Sequence, residues 1–250
     1  FTGMKKTSDL AQFHPTSVME TGYDIIFFWV ARMILMSRYA LGEVPFKTVY
    51  LHGLILDLNR KKMRKSHEET MIDPLDVIPK YGTDALRLSM LVGVTPGNDL
   101  LLNEEKIASY RNFVNKLWNI SRFILGSLEE GTQDKKGSVE ESLSDRWIKS
   151  RLTETIQEVT RLIEEFRFSV AAETLRQFTW DDLADWYLEI VKLEKGKSLL
   201  LKRILLDTLA LWHPFTTFVT ERLYQHYTNE ISEKPLSEML MTSPWPTAEF

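Results

Sequence analysis

The 250-residue chain carries 35 acidic and 31 basic side chains, a formal net charge of −4, and no cysteine. Disulfide frameworks and thiolate zinc sites are therefore excluded, and any nucleic-acid contact must come from local patches rather than from overall charge. With 44% hydrophobic and 26% charged residues, the composition suits a folded chain of one large domain or two modest ones.

From the start, Phe1-Thr2-Gly3-Met4-Lys5-Lys6 lacks a signal-type apolar segment, and no later stretch reaches membrane-spanning length. A soluble, cytoplasmic protein without a membrane partner is expected. The histidines at 14, 52, 67, 213 and 226 show no metal-ligand spacing, so no protein metal site is expected.

Residues 16–21 read as a short strand ending at Gly22. Residues 24–39 are apolar on nearly all sides and long enough for a buried helix, and residues 48–56 follow as a second strand. Strand, helix and strand at this spacing predict a parallel crossover unit, with ligands bound beyond the carboxyl ends of the strands. Gly22 permits close backbone approach there, and Asp24 either caps the helix or accepts from a sugar hydroxyl. Ile25 and Trp29 fall one turn apart on one helix face, which suits core packing as well as a pocket wall.

The second strand leads into a basic loop. Arg60, Lys61, Lys62, Arg64 and Lys65 put five cations within six residues. Lysine ammonium groups act as mobile point charges on polyphosphate. The loop has no glycine-rich cradle and is not a P-loop, and alone such a run also fits solvated surface or a generic nucleic-acid patch.

Asn103, Glu104 and Glu105 predict the start of a helix running to about residue 125. Ile107, Tyr110, Val114, Leu117, Ser121 and Ile124 form its buried stripe, while Asn112, Asn115, Lys116, Asn119 and Phe123 share an arc of roughly 100° on the opposite face. A phenylalanine among three amides and a lysine either packs under a neighbouring segment or offers a stacking platform for single-stranded RNA. Residues 129–144 read as a loop, and the spacing from Trp147 to Phe166 predicts a second helix. Thr179-Trp180-Asp181-Asp182 reads as a helix start. Residues 199–212 are apolar enough for a central bundle helix, which Pro214 ends or kinks before Phe215 opens the next. Asp181, Asp182 and Asp185 read as caps and solvated surface.

Lys62-Met63-Arg64-Lys65-Ser66 resembles the KMSKS signature of class I aminoacyl-tRNA synthetases. Residues 13–33, with the run Thr21-Gly22-Tyr23-Asp24-Ile25-Ile26-Phe27-Phe28-Trp29, and residues 45–53 resemble the valyl-tRNA synthetases in particular. Arg111-Asn112-Phe113-Val114-Asn115-Lys116-Leu117-Trp118-Asn119, residues 180–187 and His213-Pro214-Phe215 resemble the helical domain of the same family. Two departures stand out: Arg64 replaces the usual serine, and His67-Glu68-Glu69-Thr70 replaces the usual Leu-Gly-Asn, which puts two carboxylates beside the loop lysines.

The resemblance implies an α/β fold followed by an all-α one. Residues 1–57 would be the C-terminal half of a Rossmann-type nucleotide-binding fold, 58–102 the KMSKS-like loop and a stem-contact connector, and 103–250 a helical-bundle anticodon-binding domain. It implies activation of valine with ATP, accompanied by Mg2+, and transfer to tRNA(Val). Lys62 and Lys65 would meet the pyrophosphate, with Ser66 in loop closure. Gly22, Asp24, His52 and Gly53 would meet the adenylate, Ile25 and Trp29 the valine side chain, and Asn112, Asn115, Lys116, Asn119 and Phe123 the anticodon. The partners would be tRNA(Val), ATP and valine, and the chain a monomer. It contains neither the His-x-Gly-His partner motif nor an editing domain, so part of a longer synthetase, inactive alone, is expected. A non-catalytic tRNA-binding module and a piece of an isoleucyl enzyme are the alternatives.

Overall fold

The computed structural model describes residues 7–63, 72–130, 141–194, 196–230 and 237–248. In chain order these form α1 (Ser8–Phe13), β1 (Thr16–Gly22), α2 (Ala31–Leu41), β2 (Phe46–His52), β3 (Ile55–Leu56), α3 (Pro74–Tyr81), α4 (Thr83–Leu91), β4 (Leu100–Leu101), α5 (Glu104–Glu130) and α6 (Leu143–Glu164). α7 (Phe168–Gln177), α8 (Leu188–Val191), α9 (Ser198–Trp212) and α10 (Thr217–Glu230) complete the order. They group into two compact units, Phe1–Met71 with Gly93–Leu101, and Ile72–Val92 with Leu102–Phe250.

In the first unit β1 and β2 pair in parallel, from Thr16 opposite Phe46 to Gly22 opposite His52, as the crossover pattern predicts. Two expectations fail here. The apolar segment after Gly22 is not one buried α-helix: Tyr23–Ile25 is a 3-10 turn, Ile26–Val30 a π turn, and only then does α2 begin. Of residues 24–39 only Val30 is buried, whereas Phe27 is 79% and Tyr39 77% exposed. Apolar composition on all sides reports what a helix is fit to bury, and a two-stranded sheet has too little surface to cover it.

Nor does the second strand run unbroken to residue 56. It stops at His52, and β3 pairs with β4 in a separate parallel sheet. The break follows from the backbone crossing at Gly53, where an added Cβ would lie 1.7 Å from the Asn98 carbonyl oxygen. Residues 97–100 press in at that point, with the Gly97 N–H donating to Leu51 O at 2.9 Å and the Leu100 N–H to Leu54 O at 2.8 Å. Only glycine admits another backbone so closely.

The second unit is helical. Asp73 caps α3, with Pro74 in its first turn, and Asn103 caps α5 through the Lys106 N–H at 2.8 Å. α5 continues to Glu130, five residues past its predicted end, and α6 opens on a capping box of Ser142 and Asp145, while residues 131–140 of the expected loop lie outside the described residues. α9 is central, as its composition predicts: Leu201, Ile204, Leu205, Leu209, Leu211 and Trp212 are all buried. Phe113 of α5 lies 4.7 Å from Trp212 and stacks on Trp180 at 6.2 Å between ring centroids.

Thr179 does not start a helix. It lies inside a continuous helical run in which α7, a π segment (Phe178–Tyr187) and α8 succeed one another. Its hydroxyl donates to Leu175 O at 2.7 Å and accepts from Trp212 Nε1 at 2.9 Å. A cap-like sequence is used here to satisfy a buried indole, because an unpaired buried N–H is costly.

Candidate functional site

The parallel pairing of β1 and β2 sets Gly22 beside His52, both at the carboxyl ends of their strands. A Cβ on Gly22 would come within 2.7 Å of Asp24 Oδ1 and 3.4 Å of His52 Cε1, so the glycine leaves a shallow cradle bordered by a carboxylate and an imidazole. Nδ1 of His52 lies 2.8 Å from Gly53 O, and Nε2 lies 3.3 Å from Glu20 Oε1.

Lys62 reaches this corner from the basic loop. Asp57 is buried and folds the loop back: the Asp57 N–H donates to Lys61 O at 2.9 Å, and the Lys61 N–H donates to Asp57 Oδ1 at 2.8 Å. Lys62 then bridges back to Leu56 in antiparallel sense, and Arg60 takes up the turn with φ 58. The Lys62 ammonium ends 2.8 Å from Asp24 Oδ2. That hydrogen bond, against a smaller opposing effect of desolvation, holds the Asp24 carboxyl below the usual carboxylate range. Asp24 makes no helix cap.

Gly22, Asp24, His52, Gly53 and Lys62 thus come together, while Arg64, Lys65 and Ser66 lie outside the described residues. Ile25 closes the 3-10 turn and is half-buried, whereas Trp29 lies in the π turn and is 57% exposed. The regular α-helical spacing expected between them is therefore absent. Sequence reasoning missed Asp99, whose carboxylate accepts from the Leu54 N–H at 2.8 Å and from the Tyr23 hydroxyl at 3.3 Å. The Asp99 hydrogen bond, with desolvation, pushes the Tyr23 phenol up. No local signal marks Asp99, because its partners lie 45 and 76 positions away. Among the described residues no group of three or more His, Cys, Asp or Glu could hold a metal ion.

In the helical unit, Asn112, Asn115 and Asn119 are exposed along α5. Lys116 is held by Asp185 at 3.0 Å and lies 5.0 Å over the Trp180 ring. Phe123 is half-buried against the core, with the Lys192 ammonium 5.8 Å from its ring centroid. Of the two accounts of Phe123, packing against its neighbours is the one that describes its surroundings. The amides remain open, and exposed rings include Trp118 on the same helix and Trp186, next in sequence to the Asp185 that holds Lys116. Asp181 and Asp185 are exposed as expected, whereas Asp182 is 17% exposed at the side chain and pairs with Arg151 at 2.9 Å, inside a continuous helical run and not as a cap.

Comparison with known proteins gives matches that fall in both units. Residues 2–103 match the model of tRNA synthetases class I (I, L, M and V), and residues 145–250 match the anticodon-binding domain of tRNA ligase. Similar proteins include the valine–tRNA ligases of Clostridium acetobutylicum, 44% identical, and Dehalococcoides mccartyi, 45% identical, each over 98% of this chain and 28% of the relative. The chain therefore spans about a quarter of the length of these curated relatives. Among solved structures, a ternary complex of Agrobacterium radiobacter LeuRS with tRNA and LeuAMS superposes with a TM-score of 0.73 at 20% identity, covering 94% of this chain and 29% of that one. Mycobacterium tuberculosis methionyl-tRNA synthetase bound by methionyl-adenylate gives 0.70 at 18%, covering 96% and 51%. These likenesses show the fold: a Rossmann-like part followed by a helical domain.

Proposed function

Given a class I tRNA synthetase segment followed by a tRNA-ligase anticodon-binding domain, similar to valine–tRNA ligases along 98% of the chain, we propose that the chain is the working part of such a ligase that holds ATP and tRNA(Val). The parent protein would activate valine with ATP and esterify it to the tRNA.

The observation that carries this reading is the convergence of Gly22, Asp24, His52, Gly53 and Lys62 where two parallel strands end, the position at which open α/β sheets bind ligands. The cradle over Gly22 suits a ribose, with Asp24 accepting its hydroxyls and His52 beside it. Lys62, with Lys65, would neutralise the charge that develops on the pyrophosphate leaving group, and Ser66 would take part in closing the loop. Catalysis of this kind is mostly positioning and electrostatic stabilisation. Mg2+ would arrive with the nucleotide. Ile25 and Trp29 would border the valine side chain. The exposed amides Asn112, Asn115 and Asn119, with Lys116, would face the anticodon, while Phe123 packs against the helical core. Residues 58–102 would connect the two activities, in a monomeric, cytoplasmic protein.

The test is amino-acid-dependent exchange between ATP and pyrophosphate by the full-length protein. Exchange that depends on valine rather than isoleucine, and falls at least about a hundredfold in Lys62→Ala, is the expected result. Exchange with isoleucine alone would replace the reading by the isoleucyl one, and no exchange by the full-length protein would leave a tRNA-binding module.

A further inference from the structure

The roles proposed for Asp24 and Lys62 would draw them to different parts of a nucleotide, the ribose and the phosphates, yet the structure joins them in an ion pair of 2.8 Å. We propose that this pair is an occupancy latch: Asp24 holds Lys62 away from phosphate until a ribose diol takes the carboxylate, so that seating the nucleoside releases the lysine for the polyphosphate. The inference rests on the nucleotide-binding reading above and goes beyond it in coupling the two subsites.

Two features of the corner carry the argument. The backbone of Lys62 is held by its bridge to Leu56 and by the Met63 N–H donating to Ile55 O at 3.2 Å, so swinging the side chain is enough to redirect the ammonium. Asp24 is fixed in turn at the head of the 3-10 turn, its other oxygen over Gly22, where a diol would enter the cradle.

Lysine is a donor only and an ionised carboxylate an acceptor only, so each can be satisfied by the incoming groups: the diol donates two O–H to Asp24, and phosphate oxygens accept from Lys62. While the pair is closed, a phosphate approaching Lys62 meets the like charge of Asp24. With side chains 45% and 33% exposed, the pair is screened and weak. The latch therefore sets a preference of about fivefold or less, enough to order the two events without trapping the site closed.

The experiment uses the full-length protein carrying this chain, with adenosine and inorganic tripolyphosphate as separate probes in equilibrium binding. In wild type, saturating adenosine is expected to tighten tripolyphosphate binding by up to about fivefold. Asp24→Asn is expected to bind tripolyphosphate as tightly as adenosine-saturated wild type, and to lose the coupling. A gain of phosphate affinity from a substitution at a proposed ribose residue is something structural damage would not produce. Tripolyphosphate binding that weakens in Lys62→Ala but is indifferent to adenosine and to Asp24→Asn would overturn the latch alone. Binding indifferent to Lys62→Ala would overturn the nucleotide reading, and the latch with it.

Discussion

At the scale of single residues, two charged pairs carry opposite consequences. Asp24 and Lys62 are exposed and exchangeable, whereas Lys197 and Asp145 are each only 6% exposed at the side chain and hold the start of α6 to the segment before α9. Lys197 also pairs with Glu194 at 3.0 Å, and the buried Tyr187 hydroxyl donates to Asp145 Oδ1 at 2.8 Å. Burial pushes the Asp145 carboxyl up, but hydrogen bonds from Lys197, the Ser142 N–H and Tyr187 outweigh it, and the net displacement is downward. Burial likewise opposes the charge on Lys197, and its two carboxylates reverse that, raising it. The signs then follow from linkage. The Asp145 contribution is complete above its unfolded value, about pH 4, and is lost as pH falls through the lower folded value. The Lys197 contribution is complete below about pH 10 and lost as pH rises beyond it. Lys197→Met at pH 7 is expected to cost the helical unit about 3–5 kcal/mol, because it leaves a buried carboxylate without its cation. In that variant the Ser142 and Tyr187 hydrogen bonds alone oppose burial, so the Asp145 displacement is smaller and the loss shrinks as pH is lowered. Urea denaturation of both proteins from about pH 2 to 7 checks the magnitude and this convergence.

At the scale of elements, sequence pattern gave the parallel strand, helical segment and strand order near the site, and failed where another part of the chain intervened. β1, the parallel partner strand, the Asn103 cap and the central α9 follow from local rules of alternation, capping and apolar period. The strand break at Gly53 does not, because its cause is the Asn98 carbonyl, 45 positions away. Gly53→Ala is accordingly expected to push residues 97–100 off β3, at a cost of about 3 kcal/mol or more, since the obstructing atom is backbone and cannot rotate aside. Hydrogen exchange reads this directly: the Leu54 and Leu100 amides, held now by Asp99 and by Leu54, should lose protection, while amides of the helical unit keep theirs. Unchanged protection at Leu54 and Leu100 would contradict this account of the break. Thr179 teaches the same lesson within a helix, where a good cap sequence is overridden by the needs of Trp212.

At the scale of the whole molecule, the chain supplies its two units in alternation: residues 72–92 join the helical unit, and residues 93–101 return to the first. α4 is tied into the helical unit by Asp84, which accepts from the Val219 N–H at 2.7 Å and the Phe218 N–H at 3.3 Å at the start of α10. Arg87 donates to Pro214 O at 3.0 Å, and Leu88 and Val92 lie in the helical core. A chain of residues 72–250 is therefore expected to outlast one of residues 103–250 in thermal unfolding by at least about 3 kcal/mol, from two lost core side chains and a lost cap. Equal stability would make residue 103 a true domain start. Sequence by itself determined the family resemblance, the order of an α/β part before a helical one, and the residue types at the strand ends, since these rest on motifs and periods that neighbouring residues carry together. Tertiary structure alone decided that Asp24 faces Lys62, that Asp99 braces Leu54 and Tyr23, that Phe123 packs inward, and that the apolar face after Gly22 stays exposed. Each of these depends on a partner distant in sequence, or on the lack of enough neighbouring surface, and neither is written in local pattern.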